Sequence, residues 1–227
     1  MENKCCKGYR TESDLIGERE VPECALYGVQ TLRGIENFGI SKFHLNEYPM
    51  FIKGLAITKM AAARANHELG LLTDEQAKAI EQACQEIIDG KHHEHFPIDM
   101  IQGGAGTTTN MNANEVIANR ALEIMGHKRG EYKFCSPNDH VNCAQSTNDA
   151  YPTAIHIGMY FDHLRFVEQY KKVIEAFRKK GEEFAHIVKI GRTQLEDAVP
   201  MTLGQTFSGF AAILTDEIRH LNEAAED

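Results

Sequence analysis

Long apolar runs are missing from this chain. No window holds the roughly 18 continuous apolar residues that a membrane-spanning helix needs, which excludes that class of protein. Basic residues are in deficit too: 24 Lys and Arg stand against 33 Asp and Glu, a formal charge of −9. With no basic stripe to interrupt that balance, nucleic acid and anionic membrane are excluded as expected partners. The opening MENKCCKGYRTESD has no apolar core region and does not read as a secretion signal, so a cytoplasmic location is expected. The six cysteines (5, 6, 24, 84, 135 and 143) have no repeating spacing. A chain this long and this rich in Leu, Ile and Ala has no need of disulfides, so free thiols are expected. What remains, 42% hydrophobic and 25% charged, is the make-up of a globular protein of one or two domains.

Two places invite a metal reading, and neither sustains it on sequence alone. Vicinal Cys5 and Cys6 sit in a polar terminus. Lys91-His92-His93-Glu94-His95 has ligand-type residues, but no second cluster at ligand spacing accompanies it. A solvated loop after a helix is the expectation there, and no metal site is assigned.

Glycine and proline break up residues 14–48, predicting turns and short extended pieces. From Pro49 to about Leu69 the pattern becomes helical and alanine-rich, and Gly70 stops it. Thr73 and Gln76 form a capping-box pair ahead of Ala77, Ile80, Cys84 and Ile87 at helical spacing, with Gly90 at the stop. A further helix carries Ile117, Ala121, Ile124 and Met125 on one face and ends at Gly126. Past Asn148 a helical pattern runs to about Val188, with Pro152 placed in its first turn. A second long helix follows Pro200, again with a capping-box pair, Thr202 and Gln205. Its apolar stripe of Leu203, Phe207, Phe210, Leu214, Ile218 and Leu221 is a helix-packing seam. The stripe still runs at Asp227, and two such helices cannot bury their wide apolar faces on each other alone. The sequence is therefore read as an incomplete folding unit.

Three polar stretches each precede a helix start. They are Gly103 to Asn112 (GGAGTTTNMN), Gln145 to Asp149 (QSTND) and Gly191 to Asp197 (GRTQLED). Their shared chemistry is anion binding. A helix N-terminus offers unpaired N–H groups and partial positive charge, and Thr, Ser and Asn add neutral donors. Glycines let backbone approach a ligand closely. No Lys-Ser/Thr follows the glycine run, which excludes a Walker phosphate loop, and nothing supports a dinucleotide site.

Four stretches in order, Tyr27 to Arg33 (YGVQTLR), Gln102 to Glu115 (QGGAGTTTNMNANE), His140 to Asp149 (HVNCAQSTND) and Gly191 to Pro200 (GRTQLEDAVP), resemble the aspartase/fumarase superfamily along essentially the whole chain. Ser-Thr-Asn-Asp at 146–149 and Gln194 after Thr193 look most like its aspartate ammonia-lyase branch. Class II fumarases read Ser-Ser-Asn-Asp and carry histidine at the place of Gln194.

The resemblance implies an all-α fold. A small N-terminal helical domain (residues 1–140) would lead into the first part of a long-helix bundle (141–227). It also implies a homotetramer whose active sites draw on three subunits, acting on the small dicarboxylates L-aspartate and fumarate, with no metal or organic cofactor. By the same resemblance, substrate contacts fall to Thr107, to Ser146, Thr147 and Asn148, and to Thr193 with Gln194. The family's general base is a serine on a Gly-Ser-Ser loop, and no Gly-Ser-Ser occurs in these 227 residues. No catalytic residue is assigned here, and the chain by itself is expected to be inactive. A fumarate hydratase and a non-catalytic helical assembly protein are the alternative readings.

Overall fold

The computed structural model describes residues 8–226. It divides into two compact units, Met1–Met159 and Tyr160–Asp227, and the vicinal pair Cys5 and Cys6 lies outside the described residues.

The first unit opens with an antiparallel hairpin of β1 (Tyr9–Asp14) and β2 (Gly17–Pro22). Four helices follow: α1 (Val29–Asn37), α2 (Pro49–Glu68), α3 (Asp74–Ile88) and α4 (Thr107–Ile124). Short 3₁₀ turns at Leu45–Glu47 and His93–His95 and a π turn at Pro137–Val141 connect them. The unit closes on the first residues of α5 (Thr147–Glu183). Its core is aliphatic, built on Ile52 and Leu55 of α2, Ile80 and Ile87 of α3 and Val116, Ile117 and Leu122 of α4, with Phe96 and Ile98 between them. Helix α3 begins as its sequence predicts. Thr73 Oγ1 accepts from the Gln76 N–H at 3.3 Å while Gln76 Oε1 accepts from the Thr73 N–H at 3.2 Å.

The second unit holds the rest of α5, a hairpin of β3 (Val188–Thr193) and β4 (Glu196–Thr202), and α6 (Leu203–Glu226). Phe177 and Phe184 of α5 meet Phe207 of α6 at ring-centroid distances of 5.9 and 5.5 Å. Gly181 and Gly204 mark the crossing, because a methyl group on Gly204 would overlap the Gly181 carbonyl. The reciprocal cap of Thr202 and Gln205 is present at 2.8 and 3.1 Å. Within this unit Phe210 remains 47% exposed and the stripe from Leu203 to Leu221 is only half-buried, as expected of helices whose apolar faces are too wide for one another.

The helical class holds, with two hairpins added. The sequence reading differs from the structure at five points. Helix α1 lies where turns were expected, because Gly34 breaks the pattern on paper but serves a close contact in space: a methyl group there would overlap the Thr108 side chain. Helix α4 starts at Thr107 rather than near 113, directly after Gly106 at φ +83°. Helix α5 ends at Glu183, ahead of the strand that begins at Val188. Pro152 lies inside α5 beyond its first turn, so one intrahelical hydrogen bond is forfeited. Cys24 is disulfide-bonded, at a half-buried turn after β2, whereas Cys84, Cys135 and Cys143 are free.

The mouth of α1 is the most elaborate polar feature of the first unit. Gly28 supplies no side-chain cap, and a helix start leaves its first N–H groups without intrahelical partners. Glu115, fully buried on α4, fills that role. Its carboxylate accepts from the N–H groups of Gly28, Gln30 and Thr31 at 2.9, 2.8 and 3.0 Å, and from the Thr31 hydroxyl at 2.6 Å. Glu12 takes the Val29 N–H at 3.0 Å and is paired with Arg10 at 2.8 Å. Burial pushes the Glu115 carboxyl up to about 7, opposed by the hydrogen bonds it accepts. Glu115→Gln keeps the shape but turns an NH₂ group toward backbone donors. We expect it to destabilise the chain by about 2–4 kcal/mol, read as a lower urea midpoint at unchanged m-value.

Candidate active site

Residues 102–110 build the first polar patch. The glycine run is needed where it stands, since Gly104 and Gly106 adopt φ of +78° and +83°, and a methyl group on Gly106 would strike the Tyr151 ring. Gln102 replaces the side-chain cap that Gly106 lacks. Its Oε1 accepts from the Thr109 N–H at 2.9 Å, and its Nε2 donates to Thr109 Oγ1 at 2.9 Å. That bracing sets Thr107 exposed at the first position of α4.

The second patch lies at the mouth of α5. Ser146 Oγ accepts from the Asn148 N–H at 3.1 Å, so its hydroxyl caps the helix and keeps its proton free to donate. The turn before it is held from beneath by α2. Lys59 donates to Asn142 Oδ1 at 2.8 Å and to Gln145 Oε1 at 3.0 Å, and Asn66 donates to the Cys143 carbonyl at 2.9 Å. Lys59 is fully buried and reaches no carboxylate among the described residues; burial drives its pKa down to about 7.

The two patches are joined. Asn110 of α4 donates to Asn142 Oδ1 at 3.1 Å, which makes Asn142 a shared acceptor for Asn110 and Lys59. Between the patches lies an open hollow of about 430 Å³ lined by Gln102, Gly104, Gly106, Asn148, Tyr151 and Pro152, among others. Pro152 has no N–H to give the Asn148 carbonyl, so a polar backbone group is released from the helix ladder beside that hollow.

The third patch belongs to the second unit. Thr193 ends β3, and Gln194 and Leu195 form its tight turn at φ of +49° and +69°. Left-handed backbone suits glycine or asparagine there, and two side-chain-bearing residues cost about 1–2 kcal/mol each. Strain of this kind concentrates at functional positions. Of the residues expected at the site, the structure places Asn148 in the wall of the hollow, Thr107 next in sequence to the Gly104–Gly106 stretch that lines it, Ser146 and Thr147 at the mouth of α5, and Thr193 and Gln194 at the exposed β3–β4 turn. Sequence reasoning missed Lys59, Asn142 and Tyr151. The one available signal was a run of asparagines, Asn110, Asn112 and Asn114, inside a helix where polar side chains need partners.

The hollow thus lies at two helix starts, with the amides of Gln102 and Asn148 and the Tyr151 ring in its wall. A family model described as lyase matches residues 17–227, and the chain belongs to that family. Among its relatives, the chain is 55% identical over 219 residues to the aspartate ammonia-lyase of Pseudomonas canavaninivorans and 51% identical over 218 residues to that of Escherichia coli K12. These matches take in 96% of this chain and 46% of each relative, so the chain spans less than half the length of the proteins it resembles. Among solved structures it is similar to a fumarate lyase:delta crystallin from Brucella melitensis bound to cobalt. That match has a TM-score of 0.91 at 50% identity and covers 96% of this chain and 47% of that one. It is also similar to a class II fumarase from Schistosoma mansoni, with a TM-score of 0.82 at 35% identity, covering 93% of this chain and 44% of that one.

Lys59 generates a pH dependence of known sign. Its folded pKa, about 7, lies below the ordinary lysine value of 10.5, so between those limits the unfolded chain binds more protons than the folded one. Stability from this group therefore rises with pH across that window, by at most about 1.4 kcal/mol per pH unit, and the full burial penalty applies below pH 7. We expect Lys59→Met to remove this slope. Chemical denaturation of both proteins between pH 7 and 10 would show their stability difference changing with pH.

Proposed function

We propose that the chain supplies substrate-gripping elements of an aspartate ammonia-lyase, the enzyme that eliminates ammonia reversibly from L-aspartate to give fumarate. The observation that carries this reading is the single hollow shared by the Gln102–Gly106 loop and the mouth of α5, whose elements are tied by the bond between Asn110 and Asn142. Identities of 51–55% to curated aspartate ammonia-lyases, against 35% to the class II fumarase, support the amino acid over the hydroxy acid as substrate.

In this mechanism the proton beside one carboxylate is removed, and the resulting doubly charged aci-carboxylate needs donors already in place. Thr107, the N–H groups and side chains of Ser146, Thr147 and Asn148, and Thr193 with Gln194 serve as those donors. For a chain of net charge −9, close donors must outweigh a field that repels a dianion. Ammonia then leaves the neighbouring carbon, and no metal or organic cofactor takes part. The proton acceptor, in this reading, is not among the 227 residues, since no serine of the chain stands in a Gly-Ser-Ser sequence. The working enzyme is a cytoplasmic homotetramer that shares its sites between subunits, the arrangement that would also cover the half-buried stripe of α6.

The expected outcome is threefold. The purified 227-residue chain forms no fumarate from L-aspartate. Mixed with the C-terminal half of a curated relative, it recovers elimination. In that mixture Thr107→Ala or Asn148→Ala lowers kcat/KM by about 100-fold or more, the effect of losing one transition-state donor. Hydration of fumarate without ammonia addition would identify a hydratase instead, and a folded mixture with neither activity would support a purely structural role.

A further inference from the structure

The 3₁₀ turn after α3 gathers three metal-type ligands that the reading above does not use. Donor atoms of His92, Glu94 and His95 all lie within 4.8 Å of one another. Glu94 Oε1 and His95 Nε2 are 3.6 Å apart. Two ligands about 2.0–2.1 Å from a tetrahedral ion stand about 3.3 Å apart, so this pair is near the spacing such an ion imposes.

The shell around the turn is arranged as metal sites arrange theirs. Arg120 grips both oxygens of the Glu86 carboxylate at 2.6 and 3.0 Å, so Glu86 meets its other neighbours as an acceptor. His92 Nε2, 3.0 Å from Glu86, must therefore donate its N–H, which leaves the lone pair on Nδ1. A carboxylate orienting an imidazole through its other nitrogen is the usual support of a ligating histidine. His92 is also held at φ +67°, a left-handed conformation that a β-substituted residue takes up only at a cost. His93 points elsewhere, its Nε2 lying 2.9 Å from the Ile87 carbonyl. The opposing contact is a long one: the Leu26 N–H lies 3.4 Å from His95 Nδ1, and ligation through Nε2 would shift the ring proton and release it. Glu94, 67% exposed, leaves an entry path from solvent.

We propose that His92, Glu94 and His95 form a binding site for a divalent transition ion of the zinc type, which prefers imidazole and carboxylate ligands and takes water in the remaining position. The site is separate from the hollow at α5 and does not depend on the lyase reading.

The test uses the untagged 227-residue chain, stripped with chelator, titrated with ZnCl₂ by calorimetry and with CoCl₂ by visible absorption. One ion per chain with micromolar or tighter affinity is expected, with a Co²⁺ spectrum whose intensity marks fewer than six ligands. His92→Asn, a residue that tolerates left-handed backbone, and Glu94→Gln, an exposed change, should each weaken binding about tenfold or more. The melting temperature of either metal-free variant should stay unchanged. Affinity equal to wild type in both variants would overturn the proposal, because the ion would then sit on other histidines or on cysteines; binding no tighter than millimolar would overturn it as well.

Discussion

A buried carboxylate with no cationic partner among the described residues organises the first unit. Glu115 accepts four hydrogen bonds, three of them from the backbone at the start of α1, and so ends its own helix's isolation by capping another. The positive end of the α1 dipole and the converging N–H groups stand in for a counter-ion. Two segments far apart in sequence, Tyr27 to Arg33 and Gln102 to Glu115, become one object through this contact. Glycine at 28 is part of it, since a methyl group there would overlap Glu12, Tyr132 and Glu115 at once.

From that anchor the candidate site follows by a chain of fixed contacts. Helix α4, held at Glu115, presents Asn110 and Thr107 one turn and two turns earlier. Asn110 reaches Asn142, Asn142 is gripped by Lys59, and the same turn delivers Ser146 to Asn148 at the mouth of α5. The wall of the hollow carries the amides of Gln102 and Asn148 beside glycines, Pro152 and the Tyr151 ring, and the elements around it are tied by buried Asn110, half-buried Asn142 and buried Lys59. On the proposed function, such an arrangement has donors in place before a dianion arrives, as charge-developing reactions require.

Much of this was legible in the sequence. The two capping-box pairs marked the starts of α3 and α6, the stripe from Leu203 to Leu221 marked a seam, and the wording of four polar stretches marked the family. What escaped shares one cause. Gly28 and Gly34 were read as breaks because a glycine's local preference is visible on paper, whereas the neighbour that forbids its side chain is not. Lys59 was equally hidden: in sequence it is one more charged residue on a helix, and only packing shows that its face is inward. The β3–β4 hairpin escaped because its strands carry few alternating apolar residues and its turn lacks the expected Asn-Gly. The histidine turn at 92–95 shows the reverse case, in which a composition dismissed for want of a second cluster gains weight once Glu86 and Arg120 are seen beside it.

The β3–β4 turn has a consequence for anyone improving this protein by selection for heat tolerance. Glycine at 194 or 195 would relax the backbone, so unbiased enrichment would be drawn to those two codons early. The winners would be sturdier and, on the functional reading, poorer at holding their ligand. On that reading, robustness and recognition compete at this turn.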